Sequence, residues 1–172
     1  MRAWCLIVGG MLFWPSVSLA IPDGKHVYIA KDGQEAQAKG VNAAIEKAAS
    51  QFNLFIRRIA RKRLHEKNPV FSTVTVEHVG KSLNVSADGQ SLNLVGAEGE
   101  TTPWVSPTGL DVEVSQFIGA EEARRIYVTE IGRRVVLYQF GEGGKSLTLD
   151  ITVHSKHLSE PLHYQLQYVK EK

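Results

Sequence analysis

The sequence predicts a mainly β (α+β) protein in which an N-terminal amphipathic helix precedes an antiparallel meander of eight strands. Two observations predict it: apolar residues recur at helical spacing before Pro69, and they alternate with polar residues from there almost to the C-terminus. Short loops between successive strands require antiparallel neighbours. Closure into a small barrel removes both exposed edges of so long a meander, so we expect a barrel, with a helix-backed open sheet as the alternative.

The first 20 residues are predicted to be a secretory signal peptide. Arg2 supplies the positive n-region, Ala3 to Phe13 is almost unbroken apolar sequence, and Ser18-Leu19-Ala20 offers small residues for cleavage. The apolar run is shorter than the roughly 20 residues that span a bilayer. We therefore expect an exported protein, periplasmic or secreted after cleavage near Ala20, with a single domain over residues 21–172.

Composition excludes several kinds of chemistry. The only cysteine, Cys5, lies in the predicted signal peptide, so the exported chain has no disulfide, no thiol nucleophile and no thiolate metal ligand. The net charge is +2 and Arg2 is lost with the signal, which leaves a nearly neutral domain. This balance argues against nucleic acid as a partner. We expect a monomer without a cofactor.

The helix is predicted from about residue 39 to residue 67. Its apolar residues fall within an arc of roughly 120° at about 100° per residue, and the stripe keeps its phase past Asn53 until Asn68-Pro69 ends the helix. In this interpretation Phe55, Ile56 and Ile59 are buried. The stripe comprises Val41, Ala44, Ile45, Ala48, Phe52, Phe55, Ile56 and Ile59.

The strands are predicted over about residues 70–170, separated by turn signals such as Asp88-Gly89 and Gly141 to Gly144. Several carry apolar residues on both faces, as a lined barrel requires. Trp104 falls between two strands, in TTPWVSP. The predicted strands are VFSTVTVEHV, SLNVSA, SLNLVG, LDVEVSQFI, RRIYVTEI, RRVVLYQF, SLTLDITVH and LHYQLQYV.

A resemblance to a known group rests on the signal peptide, a helix carrying IARKRL, then NPVF, DGQSLNL and the closing GGKSLTLDITVHSKHLSEPLHYQLQYVK. In this pattern the chain resembles uncharacterised secreted bacterial proteins with a lipocalin-like (calycin-like) barrel. It departs from typical lipocalins in lacking a G-x-W near the first strand. The resemblance implies the fold and carries little about function.

The basic segment between Arg57 and Lys67 admits two interpretations. Arg57, Arg58 and Arg61 lie opposite the apolar stripe, where they form either a solvated helix face or a surface for anionic lipid or another polyanion. Arg63 points toward the packing side, so it needs a carboxylate, the barrel rim or the head group of a ligand.

Aromatic residues indicate a second kind of site. Tyrosines inside a barrel provide an apolar wall with polar tips, which suits an amphiphilic ligand, although the same side chains can simply fill the core. The leading hypothesis is an exported, non-enzymatic binding protein for a small hydrophobic or amphiphilic, lipid-like ligand. The alternative is an envelope-associated interaction protein that uses the basic helix surface. The candidate ligand-binding residues are Trp104, Tyr127, Tyr138, Tyr164, Tyr168 and Arg63.

Catalytic and metal motifs are missing from the sequence. There is no G-x-S-x-G, no H-E-x-x-H, no P-loop and no dinucleotide fingerprint. His154, His157 and His163 lie near one loop but lack the close third ligand that a zinc site needs. We therefore predict no catalytic residues and no metal site. Asn84-Val85-Ser86 is a glycosylation sequon that matters only in a eukaryotic secretory pathway.

Overall fold

The computed structural model describes residues 20–92, 98–106 and 109–172. The predicted signal peptide, except Ala20, lies outside the described residues. Two helices follow the first strand: α1 Gln34–Ala49 and α2 Leu54–Lys67. The strands are β1 Gly24–Ala30, β2 Thr73–Val79, β3 Ser82–Ala87, β4 Gln90–Ser91, β5 Thr101–Val105, β6 Asp111–Ile118, β7 Glu122–Thr129, β8 Gly132–Phe140, β9 Ser146–Ser155 and β10 Leu162–Lys170.

The strands form one antiparallel sheet that curls on itself. Their order is β4-β3-β2-β1-β10-β9-β8-β7-β6-β5, so the first and last strands of the chain are neighbours. Among the described residues no pairing joins β4 to β5, and we call this junction the seam. Arg125 of β7 nevertheless donates a hydrogen bond to the carbonyl oxygen of Leu83 in β3. A contact between strands six places apart in the order shows that the sheet curls into an incomplete barrel.

The mainly β, antiparallel, barrel-like prediction is confirmed, while its count and order of elements are wrong in detail. The sheet has ten strands where eight were predicted, and β1 precedes the helices. Trp104 was placed between strands but lies within β5, beside Pro103. Proline suggested a connection, yet β5 is an edge strand, where a residue without an N–H is tolerated. Of the predicted SLNLVG strand, Ser91 lies in β4 and residues 93–96 lie outside the described residues.

The single predicted helix is two helices. Asn53 has an extended backbone and its side chain accepts a hydrogen bond from the Ile56 N–H at 3.1 Å, which is the N-cap of a new helix. Helix α1 buries Val41, Ile45, Ala48 and Ala49, whereas α2 buries no residue. The prediction that Phe55, Ile56 and Ile59 are buried is therefore wrong. Phe55 is 92% exposed, because the new cap restarts the helix at another angle.

Helix α1 covers an open edge of the sheet. Strand β10 pairs with β1 only through Tyr168, Val169 and Lys170. Further along β10, the Gln37 side chain takes the place of a strand neighbour, since it donates to the Gln167 carbonyl oxygen and accepts from the Gln167 N–H, both at 3.0 Å. At the other end of α1, Gln51 makes the same pair of bonds with the backbone of Glu160. Two glutamines thus hold α1 along β10.

The interior of the barrel holds one large apolar core and one small cluster. Both Tyr28 and Ile45 are 0% exposed, and the α1 residues belong to the same core as the inward residues of β1, β2, β3, β8, β9 and β10. The small cluster joins Val112 and Val114 of β6 to the half-buried Trp104 and Tyr127. No helix formed by the described residues has the length and apolarity to cross a membrane.

Candidate functional site

Arg125 occupies the interior beside the seam. Strand β7 alternates, so Ala123, Arg125 and Tyr127 share the inward face while Arg124 is exposed on the outer face. Arg125 is 0% exposed, which makes it the largest fully buried side chain among the described residues. A long cationic side chain in this position is rare in a protein interior unless it is paired.

The guanidinium of Arg125 is only partly satisfied. Its Nη2 donates to the Leu83 carbonyl oxygen, and its Cζ lies 5.8 Å from the centre of the Tyr138 ring. Nε and Nη1 are buried and have no hydrogen-bond partner among the described residues. None of the carboxylates in that part of the chain forms an ion pair with Arg125.

This arrangement favours an anion. Arginine side chains carry a permanent positive charge in proteins, so a buried arginine places a charge in the interior. Burying a charge costs several kcal/mol, and the Leu83 carbonyl oxygen and Tyr138, both neutral, offset only part of that cost. The unused donors of Arg125 are thus an electrostatic site for a carboxylate or a similar anionic group.

Two tyrosines complete the polar part of this interior. The Tyr138 hydroxyl interacts with Tyr127 and with Arg125, and burial is the main reason why the pKa of Tyr138 is raised. Gln116, 1% exposed, lies directly opposite Arg125 in the pairing of β6 with β7. Neutral donors and one cation therefore converge from three adjacent strands, β6, β7 and β8.

The other predicted ligand-binding tyrosines have structural partners. The Tyr164 hydroxyl donates to Asn68 Oδ1 at 3.1 Å, and the Tyr168 hydroxyl donates to the Phe71 carbonyl oxygen at 3.2 Å. Burial raises the pKa of both phenols, as it raises that of Tyr28 to about 12. Tyr164 and Tyr168 therefore fix the segment after α2 to β10 and lie apart from the Arg125 group. A ligand-binding role for them stays a prediction.

Trp104 and Tyr127 form an apolar wall at the seam. Trp104 is half-buried on the edge strand β5, opposite Val112 of β6, and packs with Val112, Val114 and Tyr127. Tyr127 also packs against the main core. Of the predicted residues, Tyr138 contacts Arg125, Tyr127 shares its face of β7, and Trp104 packs against Tyr127. The sequence reasoning missed Arg125 itself.

A signal for Arg125 was present in the sequence. In EARRIYVT, strand alternation places Arg125 on the face of Tyr127, and Tyr127 was already predicted to face the interior. The adjacent Arg124 masked the signal, because a pair of arginines looks like ordinary surface charge. Only the three-dimensional structure shows that the buried guanidinium lacks a carboxylate among the described residues.

The basic residues of α2 do not form one solvent-facing cluster. Arg57 Nη2 donates to the Ser50 and Phe52 carbonyl oxygens at 3.2 and 3.3 Å. Arg61 pairs with Glu46 of α1, with Nε 2.6 Å from Oε1. Arg58 and Arg63 are exposed. The expectation that Arg63 lies on the packing side is wrong, because the inward side of α2 carries Arg57 and Arg61.

Two concave surfaces formed by the described residues involve the helices. One is a shallow depression on α2, lined by Arg58, Ile59, Lys62, Arg63 and Glu66. Another lies between α1 and the start of β10, next to Gln51 and Pro161. Arg125, in contrast, has no exposed surface. Entry of a molecule to Arg125 therefore requires side chains to move.

The described part of the chain contains no cluster of side chains that could hold a metal ion. No set of three or more His, Asp or Glu side chains comes together there. His163 on β10 is bonded to Asp150 on β9, with Nε2 2.9 Å from Oδ1. This pair lies on the outer face of the sheet, away from the Arg125 interior.

Comparison with known proteins gives structural matches only. No protein-family model matches the chain, and no curated protein matches its sequence. The secretory abundant heat soluble protein 4 of Ramazzottius varieornatus superposes with a TM-score of 0.51 at 13% identity, over 92% of this chain and 99% of that one. A fatty acid binding protein of Schistosoma mansoni in complex with arachidonic acid gives 0.47 at 15% identity, over 91% and 99%. The fatty-acid-binding protein 1 of Echinococcus granulosus gives 0.48 at 11%, over 87% and 97%.

The fold defines a class. An antiparallel sheet of ten strands among the described residues, curled into an incomplete barrel with two helices after the first strand, is a lipocalin-like barrel fold. At 13% identity the likeness shows the fold and leaves the function to the residues. The narrower resemblance to secreted bacterial proteins stays a prediction.

Proposed function

We propose that this protein is an exported, non-enzymatic binding protein for a small amphiphile with an anionic head group. The observation that carries the proposal is Arg125, fully buried, with Nε and Nη1 unpartnered among the described residues. A carboxylate accepting from these donors supplies the missing counter-charge. Charge-assisted hydrogen bonds of this kind are roughly twice as strong as neutral ones.

The apolar part of the ligand lies against the small cluster at the seam. Trp104 and Tyr127 present flat apolar surfaces there, next to Val112 and Val114. The apolar tail of the ligand lies between this cluster and the main core, and its anionic head group reaches Arg125 and the Tyr138 hydroxyl. Aromatic walls with a few converging polar groups are typical of sites for amphiphilic molecules.

Export fits this role but rests on the sequence alone. The apolar N-terminus with its Ser18-Leu19-Ala20 cleavage signal supports delivery to the periplasm or the medium. Lipid-like molecules are poorly soluble in such compartments, so a soluble carrier has a function there. Mass spectrometry of the N-terminus of the protein recovered from its native host tests cleavage after Ala20.

The experiment compares a fatty acid with the fatty alcohol of the same chain length. The delipidated protein is titrated with each ligand by calorimetry, and we expect the acid to bind at least about tenfold more tightly, since hydrogen bonds to a charged group contribute about 1.5–3 kcal/mol. Arg125→Met keeps the length of the side chain and removes the charge. It should abolish the preference for the acid.

Arg124→Met is the matched control. It removes the same charge from the neighbouring residue of the same strand, on the exposed face. We expect it to keep the preference for the acid. Thermal melts of both variants establish that they are folded. A folded Arg125→Met protein that retains the wild-type preference would show that Arg125 only fills the interior, and the proposed head-group site would be wrong.

A further inference from the structure

Helix α2 exposes an unusual amount of apolar surface. Leu54 is 78% exposed, Phe55 92%, Ile56 47% and Ile59 56%, and no residue of the helix is buried. Single exposed apolar residues are common on soluble proteins, but several adjacent ones mark a surface that contacts something. Packing among the described residues therefore does not explain these three aliphatic side chains and the phenylalanine.

The same face carries cations. With about 100° per residue, Phe55, Ile59 and Lys62 point in nearly one direction, while Arg58 and Arg63 flank them on either side. Arg58, Lys62 and Arg63 are all exposed, and with Ile59 they line the shallow depression on α2. Glu66 is the one acid in that lining. Apolar side chains bordered by arginine and lysine are the pattern of a helix that lies in a membrane interface.

The opposite side of α2 is fixed to the rest of the molecule. Arg57 bonds the last carbonyl groups around the end of α1, and Arg61 pairs with Glu46. At its C-terminus Arg134 of β8 donates to the Lys67 carbonyl oxygen and to Asn68 Oδ1, both at 2.6 Å. The apolar and cationic face is therefore held outward before any partner arrives.

We infer that the outward face of α2 docks on an anionic lipid surface, with Phe55 and Ile59 entering the interface and Arg58, Lys62 and Arg63 at the head groups. Charge decides among the possible occupants. A second copy of the chain in a symmetric contact brings these three cations close to their own counterparts, which is repulsive. Anionic head groups attract all three, each by about a factor of five. This surface role does not depend on the Arg125 site.

The test is sedimentation of the purified protein with vesicles of phosphatidylcholine, alone or mixed with phosphatidylglycerol. We expect binding only to the mixed vesicles, weakening as salt rises from about 0.1 M to about 1 M. The triple change Arg58→Glu, Lys62→Glu and Arg63→Glu should lower the partition coefficient at least about 100-fold. The double change Phe55→Ser and Ile59→Ser should lower it about tenfold or more.

Matched control variants distinguish vesicle binding by the α2 face from binding that depends only on total charge or apolarity. Lys25→Glu, Lys81→Glu and Lys145→Glu reverse three exposed cations elsewhere, and Val79→Ser with Val105→Ser removes two apolar residues exposed by 64% and 62%. We expect both control sets to bind vesicles far better than the matching α2 variants. A Phe55→Trp variant, after subtraction of the wild-type tryptophan signal, should shift its emission to shorter wavelength on mixed vesicles.

Two results overturn the inference. One is equal loss of binding in the α2 variants and their matched controls, because binding is then set by total charge or apolarity. The other is a protein that does not bind mixed vesicles and elutes as a dimer which Phe55→Ser and Ile59→Ser convert to a monomer. In that case α2 is a self-association surface. All variants are first shown to be folded by their melting curves.

Discussion

Helices α1 and α2 are consecutive, similar in length and amphipathic, yet they relate to the barrel in opposite ways. Helix α1 places Val41, Ile45 and Ala48 in the main core and lies along β10. Helix α2 buries nothing, and its most apolar residue, Phe55, is almost fully exposed. The apolar face of α1 is accounted for by folding. That of α2 faces solvent, and we propose that it contacts an anionic lipid surface.

The contrast also shows how α2 stays attached without a buried apolar residue. Most of its contacts are polar: Arg57 and Arg61 bond toward α1, and Arg134 bonds to Asn68 just after the C-terminus, while Leu64 packs half-buried against the main core. Polar contacts of this kind contribute less stability than apolar burial does. We therefore expect α2 to open more readily than α1, and the following predictions test that difference.

The largest expected effect compares one apolar residue from each helix. Ile45→Ala should lower the free energy of unfolding by about 2–5 kcal/mol, because it leaves a cavity in the core. Phe55→Ala removes a larger side chain but should change that energy by less than about 0.5 kcal/mol, since the ring is in water. Urea unfolding of both variants measures this. A large loss of stability for Phe55→Ala would contradict the exposed position of α2.

The second prediction concerns the C-terminal anchor of α2. Asn68 is 4% exposed; its Oδ1 accepts from Arg134 and Tyr164, and its Nδ2 donates to the Leu64 carbonyl oxygen. Asn68→Ala leaves these groups unsatisfied, so we expect a loss of about 1–3 kcal/mol. Hydrogen exchange should also accelerate in α2 more than in α1. Asn84→Ala, on the outer face of β3, is the control and should do neither.

The third prediction concerns the break between the helices. Asn53→Ala removes the side chain that caps the Ile56 N–H, which should cost about 0.5–2 kcal/mol. Asn53→Asp keeps an acceptor in place and should retain most of the stability. Thermal melts followed by circular dichroism measure both. If Asn53→Ala instead increased helicity and stability, the chain would prefer one continuous helix, as the apolar periodicity alone indicated.

Asn53 also shows how far the sequence predicts this fold. Alternation located β3 and β10 almost to the residue, because buried positions there alternate with half-buried ones in β3 and with exposed ones along most of β10. Helical periodicity located the buried face of α1. Helical periodicity failed across Asn53, because Asn53 caps a new helix although the sequence on both sides has a similar composition. Beyond such a cap, the helical spacing of apolar residues no longer indicates which of them are buried. The edge strand β5 was missed because proline at an edge looks like proline in a loop.

The candidate site was predictable only in part. The aromatic residues indicated Trp104, Tyr127 and Tyr138. In the structure Tyr138 contacts Arg125, Tyr127 shares its face of β7, and Trp104 packs against Tyr127. That Arg125 is buried follows from alternation. The lack of a carboxylate beside Arg125 among the described residues does not follow from alternation. A carboxylate partner would have to come from a strand distant in sequence, and only the tertiary structure shows whether one is there. The tertiary structure thus adds one fact about this site that the sequence does not give: the charge of Arg125 has no carboxylate partner among the described residues.

The smallest expected effect tests the polar link between the helices. Arg61 contacts Glu46 through Nε to Oε1 at 2.6 Å and Nη2 to Oε2 at 2.7 Å, but the two side chains are 43% and 49% exposed. The two short contacts strengthen the attraction between Arg61 and Glu46, whereas exposure to solvent weakens it. A double-mutant cycle of Glu46→Gln and Arg61→Met should give a coupling energy of about 0.2–1 kcal/mol at about 0.1 M salt, and less at about 1 M.

The Lys62–Glu66 pair within α2, at 3.8 Å and more exposed, is the internal control and should couple more weakly. If the Glu46–Arg61 coupling greatly exceeds that range, α2 is fixed to α1 by charge and opens with it, and the difference in opening between the two helices disappears.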